Sequence, residues 1–380
     1  MTPILLLGLL AWLSAVCHWL GERWRVPVAP LLLLLGTALR PWLAVNWSWQ
    51  EVFPLLGVTV CLSFFEGGLR MGSRKLELAG LSKRLVAICP KLGWVVMTGL
   101  AGLVLGLPSP VCLLLGAVLM VFSPKGVAAL VARQRGGEAE EQLLFQECYL
   151  VSCVGGAWAA LMVLVIHTHL SHPAVVQTLL STTRLFLFGG LIGYLGARLL
   201  AALHSHLSPA SREPACLGWV LLCYGAAHSV LPGAGLVASI VLGKTLSQRQ
   251  VELPVAFYSS LQAVLVGILG ILMGTLIPAA ELVSQPFRYP AFALLVVALR
   301  PLLVLAATFR MPVSPTRRAN LWAVAPRGIV TLGVAATAAD LLSPEAIPEM
   351  AHLPAIVYWV VMATNLLPLL PIGPRLPSEK

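Results

Sequence analysis

Thirteen apolar stretches follow one another along this chain with only short polar connections between them, and that pattern excludes a water-soluble fold. A helix needs about 20 apolar residues to cross about 30 Å of hydrocarbon. The stretches at 3–20, 27–45, 53–69, 85–107, 110–132, 143–168, 175–203, 215–230, 233–247, 254–278, 287–309, 319–342 and 354–371 read as such crossings. Composition agrees, because 58% of the 380 residues are hydrophobic, 11% are charged and the mean hydropathy is +0.90. The expected fold is therefore an all-α polytopic membrane protein, with residues 1–380 forming one transmembrane domain and no soluble domain. Residues 3–16 could pass for a signal-peptide core, but no basic segment precedes them and no small-residue cleavage site follows. They are read as part of the first span.

Charge fixes the expected orientation, since Lys and Arg accumulate in cytoplasmic connections. Alternate connections, with the span ends beside them, hold Arg23 and Arg25; Arg70, Arg74, Lys75, Lys83 and Arg84; Arg133 and Arg135; Arg212; Lys244 and Arg249; Arg310, Arg317 and Arg318; and Arg375 with Lys380. The intervening ones hold Glu51, Glu281, Glu345 and Glu349, with only Arg40 and Arg288 near span ends. The N-terminus is expected outside and the C-terminus in the cytoplasm. Topology accounts for the net charge of +10, so no nucleic-acid partner is expected. The eight cysteines never form C-x-x-C and lie mostly inside spans, which suits small core residues and suggests neither disulfides nor a metal. His167, His169, His172, His204 and His206 lack acidic or cysteine partners nearby and read as surface residues. No phosphate loop, nucleophile elbow or cofactor motif is present, and no enzymatic activity is expected.

Ionisable groups inside a membrane persist mainly where they work, and the only carboxylates within or at the ends of the spans are Glu66, Glu147 and Asp340. Helix breakers stand in the fifth span, at Ser123-Pro124-Lys125-Gly126, and in the twelfth, at Pro326 and Gly328. Gly189, Gly190, Gly193 and Gly196 have the spacing of a close helix-packing face. Arg184 and Arg300 are the basic residues most costly to bury within spans. The polar residues Thr59, Tyr258, Ser259, Gln262, Thr364 and Asn365 read as hydrogen-bond partners between helices.

Several segments resemble the monovalent cation:proton antiporter family, whose members include the sodium/proton exchangers. These are Val26-Pro27 with the leucine run to Gly36; Phe64-Phe65-Glu66-Gly67-Gly68-Leu69; Ala234-Gly235-Leu236-Val237-Ala238 running on to Gly243; Arg300-Pro301; and Ala325-Pro326-Arg327-Gly328-Ile329-Val330. The resemblance implies inverted repeats, two discontinuous helices crossing near the midplane, a homodimer in a bacterial-type inner membrane, and exchange of sodium or potassium for protons. In the family the fifth-span break reads T-D-P and the next span E-S-x-x-N-D, whose last Asp binds the cation. The matching positions here read Phe122-Ser123-Pro124 and Glu147-Cys148-Tyr149-Leu150-Val151-Ser152, with serine at both aspartate positions. A serine hydroxyl ligates a cation weakly and cannot trade a proton near neutral pH.

The candidate ion and proton site is therefore Ser123, Lys125, Glu147, Ser152 and Arg327, with Glu66 a gate or helix cap. The resemblance pairs Glu147 with Arg327, either as a structural ion pair or, in a hydrated cavity, as the surviving proton carrier. Lys125 reads as a snorkelling or Glu147-paired residue, or as a stand-in for the bound cation. Two alternatives to antiport stay open: a non-transporting family member, and a transporter of an anion or organic ion through a charge-inverted site.

Overall fold

A computed structural model describes residues 3–24, 26–43, 49–72, 80–123, 126–127, 130, 144, 147–152, 154–156, 158–159, 162–163, 166, 175–204, 206–231, 233–251, 253–309, 311, 313, 318, 321–322, 326–342 and 347–369. The described residues form helices and connections only. In chain order the helices are α1 (Pro3–Trp24), α2 (Val28–Leu43), α3 (Trp49–Gly72), α4 (Gly80–Leu100), α5 (Ser109–Val118), α6 (Val175–His204), α7 (Pro209–Val230), α8 (Ala234–Gln248), α9 (Val255–Leu276), the short α10 (Ala279–Val283), α11 (Arg288–Thr308), α12 (Ile329–Leu341) and α13 (Leu353–Leu366). The described residues of the sixth span, 147–152 among them, are helical too. Among the described residues seven helices meet the length and apolarity of a complete crossing, and α2, α5 and α12 are shorter apolar pieces. Each of the thirteen spans read from the sequence contains helix.

Two bundles emerge from the packing. In one, α2 and α3 pack against α9 and α8, with α1, α6 and α7 around them; in the other, α4, α5, α11, α12 and α13 pack together. Within the first bundle the backbones touch through glycine. A Cβ at Gly36 would collide with the Ile271 carbonyl and one at Gly274 with the Leu33 carbonyl; likewise a Cβ at Gly68 would meet Ile240 O, and one at Gly243 would meet Phe65 O. The two crossings, α2 on α9 and α8 on α3, are counterparts in an inverted repeat: the second span meets the tenth as the ninth meets the third. Leu35-Gly36-Thr37-Ala38-Leu39 and Leu242-Gly243-Lys244-Thr245-Leu246 carry the same Leu-Gly-x-x-Leu pattern at the two contact points.

Three of the four α6 glycines, Gly189, Gly193 and Gly196, pack as their spacing predicts, and Gly190 does not. Gly189 lies against the Ala234 carbonyl and Gly193 against the Ala238 carbonyl of α8, whereas Gly190 has nothing within 4 Å of its absent Cβ. Arg184 of the same helix is exposed on the protein surface, so it carries no burial cost within the protein. Asp340, near the end of α12, is also exposed.

Gly193→Val is expected to lose about 1–3 kcal/mol through overpacking, while Gly190→Val on the open face leaves stability nearly unchanged. Thermal unfolding of both variants in detergent, followed by size-exclusion chromatography, checks the contrast.

Candidate functional site

Residues 121–123 and 326–328 leave helical conformation inside the second bundle and cross each other. The Ser123 amide donates to the Pro326 carbonyl at 2.9 Å, and the absent side chain of Gly328 leaves the space that Ser123 fills, its Cβ 2.8 Å from where a Gly328 Cβ would stand. The local sequence explains the restart of the fifth span. Ser123 is an N-cap: its hydroxyl accepts from the Gly126 amide at 3.2 Å and its carbonyl from the Val127 amide at 2.9 Å.

Other side chains satisfy the remaining backbone. The Ser152 hydroxyl accepts from the Phe122 amide at 2.8 Å, and Thr331 donates to the Val121 carbonyl at 2.7 Å while accepting from the Gly328 amide at 3.2 Å. On the far side of the break, Thr364 accepts from the Arg327 amide at 3.0 Å, and the Asn365 amide donates to the Arg327 carbonyl at 2.7 Å. The bundle thus replaces the internal bonds that a broken helix gives up.

Beside the crossing lies a cavity of about 40 Å³, between the two bundles. Ser123, Ser152 and Tyr149 line it from the second bundle with Phe122 and Gly328; Ser63 and Phe64 of α3 and Gln262 and Val266 of α9 line it from the first. A site of that size holds a few waters or one cation with part of its shell. Its described lining carries hydroxyl and amide groups and no carboxylate. Gln262 donates to Ser63 Oγ at 2.6 Å, and Ser63 donates to the Thr59 carbonyl at 2.7 Å.

The expected pairing of Glu147 with Arg327 does not form. Arg300 grips Glu147 with both terminal nitrogens, Nη1 to Oε1 at 2.6 Å and Nη2 to Oε2 at 2.7 Å, and its Nε donates to the Leu321 carbonyl at 3.2 Å. Both residues are buried, at 2% and 6% exposure. The planar guanidinium matches a carboxylate fork, and α11 carries Arg300 into the bundle at the level of the sixth span. Arg327 instead lies with Cζ 4.1 Å from the centre of the Phe122 ring, a cation–π contact at the cavity edge. Glu147 does not line the cavity, so the structure separates it from Ser123 and Ser152, which it brings together.

Glu66 is not a helix cap, because α3 continues to Gly72. It is 3% exposed, accepts from Arg70 Nε at 3.0 Å and Nη2 at 2.8 Å, and accepts from the Ser259 hydroxyl of α9. Glu66 follows Ser63 by one turn of α3, and Ser259 precedes Gln262 by one turn of α9. Two polar helix faces therefore lead from the cavity toward Arg70, whose side chain is 46% exposed. Lys125 lies outside the described residues, as do Pro124, Cys153, His167, His169 and His172. Among the described residues no group of three or more His, Cys, Asp or Glu side chains gathers as a metal would require.

Sequence reasoning missed Ser63, Tyr149 and Thr331 as parts of the site and took Gln262 for packing. One signal was available: Thr59, Ser63, Glu66 and Arg70 recur at helical spacing in an otherwise apolar span.

Residues 8–371 match the family described as sodium/hydrogen exchanger, transmembrane, and the chain belongs to that family of transporters. In structure it is similar to the sodium proton antiporter MjNhaP1 from Methanocaldococcus jannaschii determined at pH 8, with a TM-score of 0.78 at 21% identity, covering 96% of this chain and 98% of that one. An electron-microscopy structure of the same antiporter gives a TM-score of 0.76 at 20% identity over 97% and 96% of the two chains. Among proteins of curated function no sequence matches.

Either Glu147→Gln or Arg300→Met alone is expected to lose about 3–5 kcal/mol, since it strands a buried charge, whereas methionine at both positions regains most of the loss. Melting midpoints of the three variants in detergent check this; a double variant no more stable than the singles would contradict the pairing.

Proposed function

We propose that this chain is a secondary transporter that exchanges sodium or potassium for protons, as a multi-pass protein of the inner (plasma) membrane with its N-terminus outside. The observation that carries the reading is the polar cavity at the crossing of two broken helices, between two bundles, which is the arrangement that alternating access by rocking requires. Ser123, Ser152, Ser63 and Gln262 supply the neutral oxygens for a monovalent cation, and the N-terminal ends of the half-helices add fixed partial charges. We read Ser123 and Ser152 as standing where the family carries its aspartates, so the exchanging proton needs another acid.

Glu147 suits that task poorly, because protonating it would break two charge-assisted hydrogen bonds and strand Arg300 in the bundle. Glu66 suits it better. It is buried one turn beyond the cavity, its partner Arg70 reaches solvent, and the Ser259 hydroxyl can reorient to either protonation state. In this reading Glu66 is both the proton carrier and part of the gate at the Arg70 end, while Arg327 holds the break in place. The lack of a carboxylate in the described cavity lining favours a second reading, transport of an anion or organic ion.

The test is reconstitution in proteoliposomes with an internal pH dye and an imposed proton gradient, challenged with sodium, potassium and lithium salts. Cation-dependent collapse of the gradient is expected, reduced about 100-fold or more in Glu66→Gln, in line with the loss of an acid that carries a proton. Collapse that follows the anion supplied and ignores the cation would select the second reading.

A further inference from the structure

One aromatic side chain in the cavity wall has no part in the matched family motifs. Tyr149 stands two residues after Glu147 on the sixth-span helix and is 5% exposed. Its ring lies flat against Gly67 of α3. A Cβ at that glycine would fall 3.0 Å from Tyr149 Cγ and closer still to Cδ1 and Cε1, so only glycine leaves the notch that the ring fills.

The notch has a definite place on the path. Gly67 directly follows Glu66 and comes one turn after Ser63 and Phe64, which line the cavity. At about 1.5 Å of helix rise per residue, the ring covers α3 roughly 6 Å from Ser63 on the side of Arg70. On one side of it are the cavity hydroxyls; on the other are Glu66, Ser259 and the solvent-reaching Arg70. The contact also joins the two bundles, with the tyrosine on one and the glycine on the other. A ring resting in a notch is held by dispersion, which weakens as soon as the surfaces separate. Separation of the two bundles at this point therefore loosens the ring's seat on the glycine.

We propose that Tyr149 seated on Gly67 is the gate that closes the cavity from the Arg70 end of α3, an inference that rests on reading the cavity as the ion's compartment. The barrier is the ring, and the hydroxyl is secondary to it.

Access to the cavity from the Arg70 face measures the gate directly. Val266→Cys places a reporter in the cavity wall of a full-length chain whose eight native cysteines are replaced by alanine or serine. Its labelling by a membrane-impermeant thiosulfonate is timed in vesicles presenting that face. If the closed state opens only for a minor fraction of the time, Tyr149→Ala should speed labelling by about tenfold or more, Gly67→Ala should do the same by displacing the ring, and Tyr149→Phe should stay within about twofold of the parent. Gly67→Ala supplies the answer should Tyr149→Ala fail to fold. Unchanged labelling in the folded alanine variants, or acceleration by Tyr149→Phe equal to that by Tyr149→Ala, would overturn the proposal. Labelling requires no transport, so a failed antiport assay beside gated labelling would reject the exchange reading and keep the gate.

Discussion

Backbone that leaves a helix inside a membrane must find its hydrogen bonds in neighbouring protein, and the rest of this structure depends on that requirement. Each buried amide or carbonyl left bare would cost several kcal/mol. The segment of residues 121–123 avoids that cost through Pro326, Ser152 and Thr331, and the segment of 326–328 through Thr331, Thr364 and Asn365. Hydroxyl and amide side chains on three different helices are thereby committed to one crossing. The cavity exists because the crossing does: where two helices stop and restart, side chains of the facing bundle do not fill the space.

Charge is distributed around that crossing in two ways that differ by environment. Glu147 and Arg300 form a buried pair in which every carboxylate oxygen meets a guanidinium nitrogen, an arrangement that ties the sixth span to α11. Glu66 is equally buried, but one of its partners reaches solvent and the other is a hydroxyl that can donate or accept. The same residue type is thus held by an enclosed arginine in one bundle and by a solvent-reaching arginine and a hydroxyl in the other.

Glycines divide the contacts into those that hold and those that can slide. Within the first bundle, glycine brings backbone against backbone, as at Gly36 with Ile271 and Gly68 with Ile240. Between the bundles, glycine receives a side chain: Tyr149 at Gly67, Ile329 at Gly270 and Leu56 at Gly333. Close backbone packing resists displacement because rigid surfaces interlock over a whole crossing. A side chain in a notch can change rotamer where backbone against backbone cannot, and contacts of this kind surround the cavity.

The residues themselves determined the class, the thirteen spans and the two breaks, because apolar length and the chemistry of proline, glycine and an N-cap serine are local properties. The close packing along Gly189 and Gly193 was legible for the same reason, and the family motifs marked Ser123, Ser152 and Glu66 as residues of interest. Which residues meet was decided only by tertiary structure. Glu147 had two buried arginines available, Arg300 and Arg327, and nothing along the chain ranks them; the packing of α11 against the sixth span chose Arg300 and left Arg327 to the ring of Phe122. Likewise the cavity draws Ser63, Gln262 and the pair Tyr149 and Ser152 from three separate segments. Helical periodicity fixes which residues share a face, but the face that a helix turns to its neighbour depends on the balance of all its contacts, which no local stretch of sequence contains.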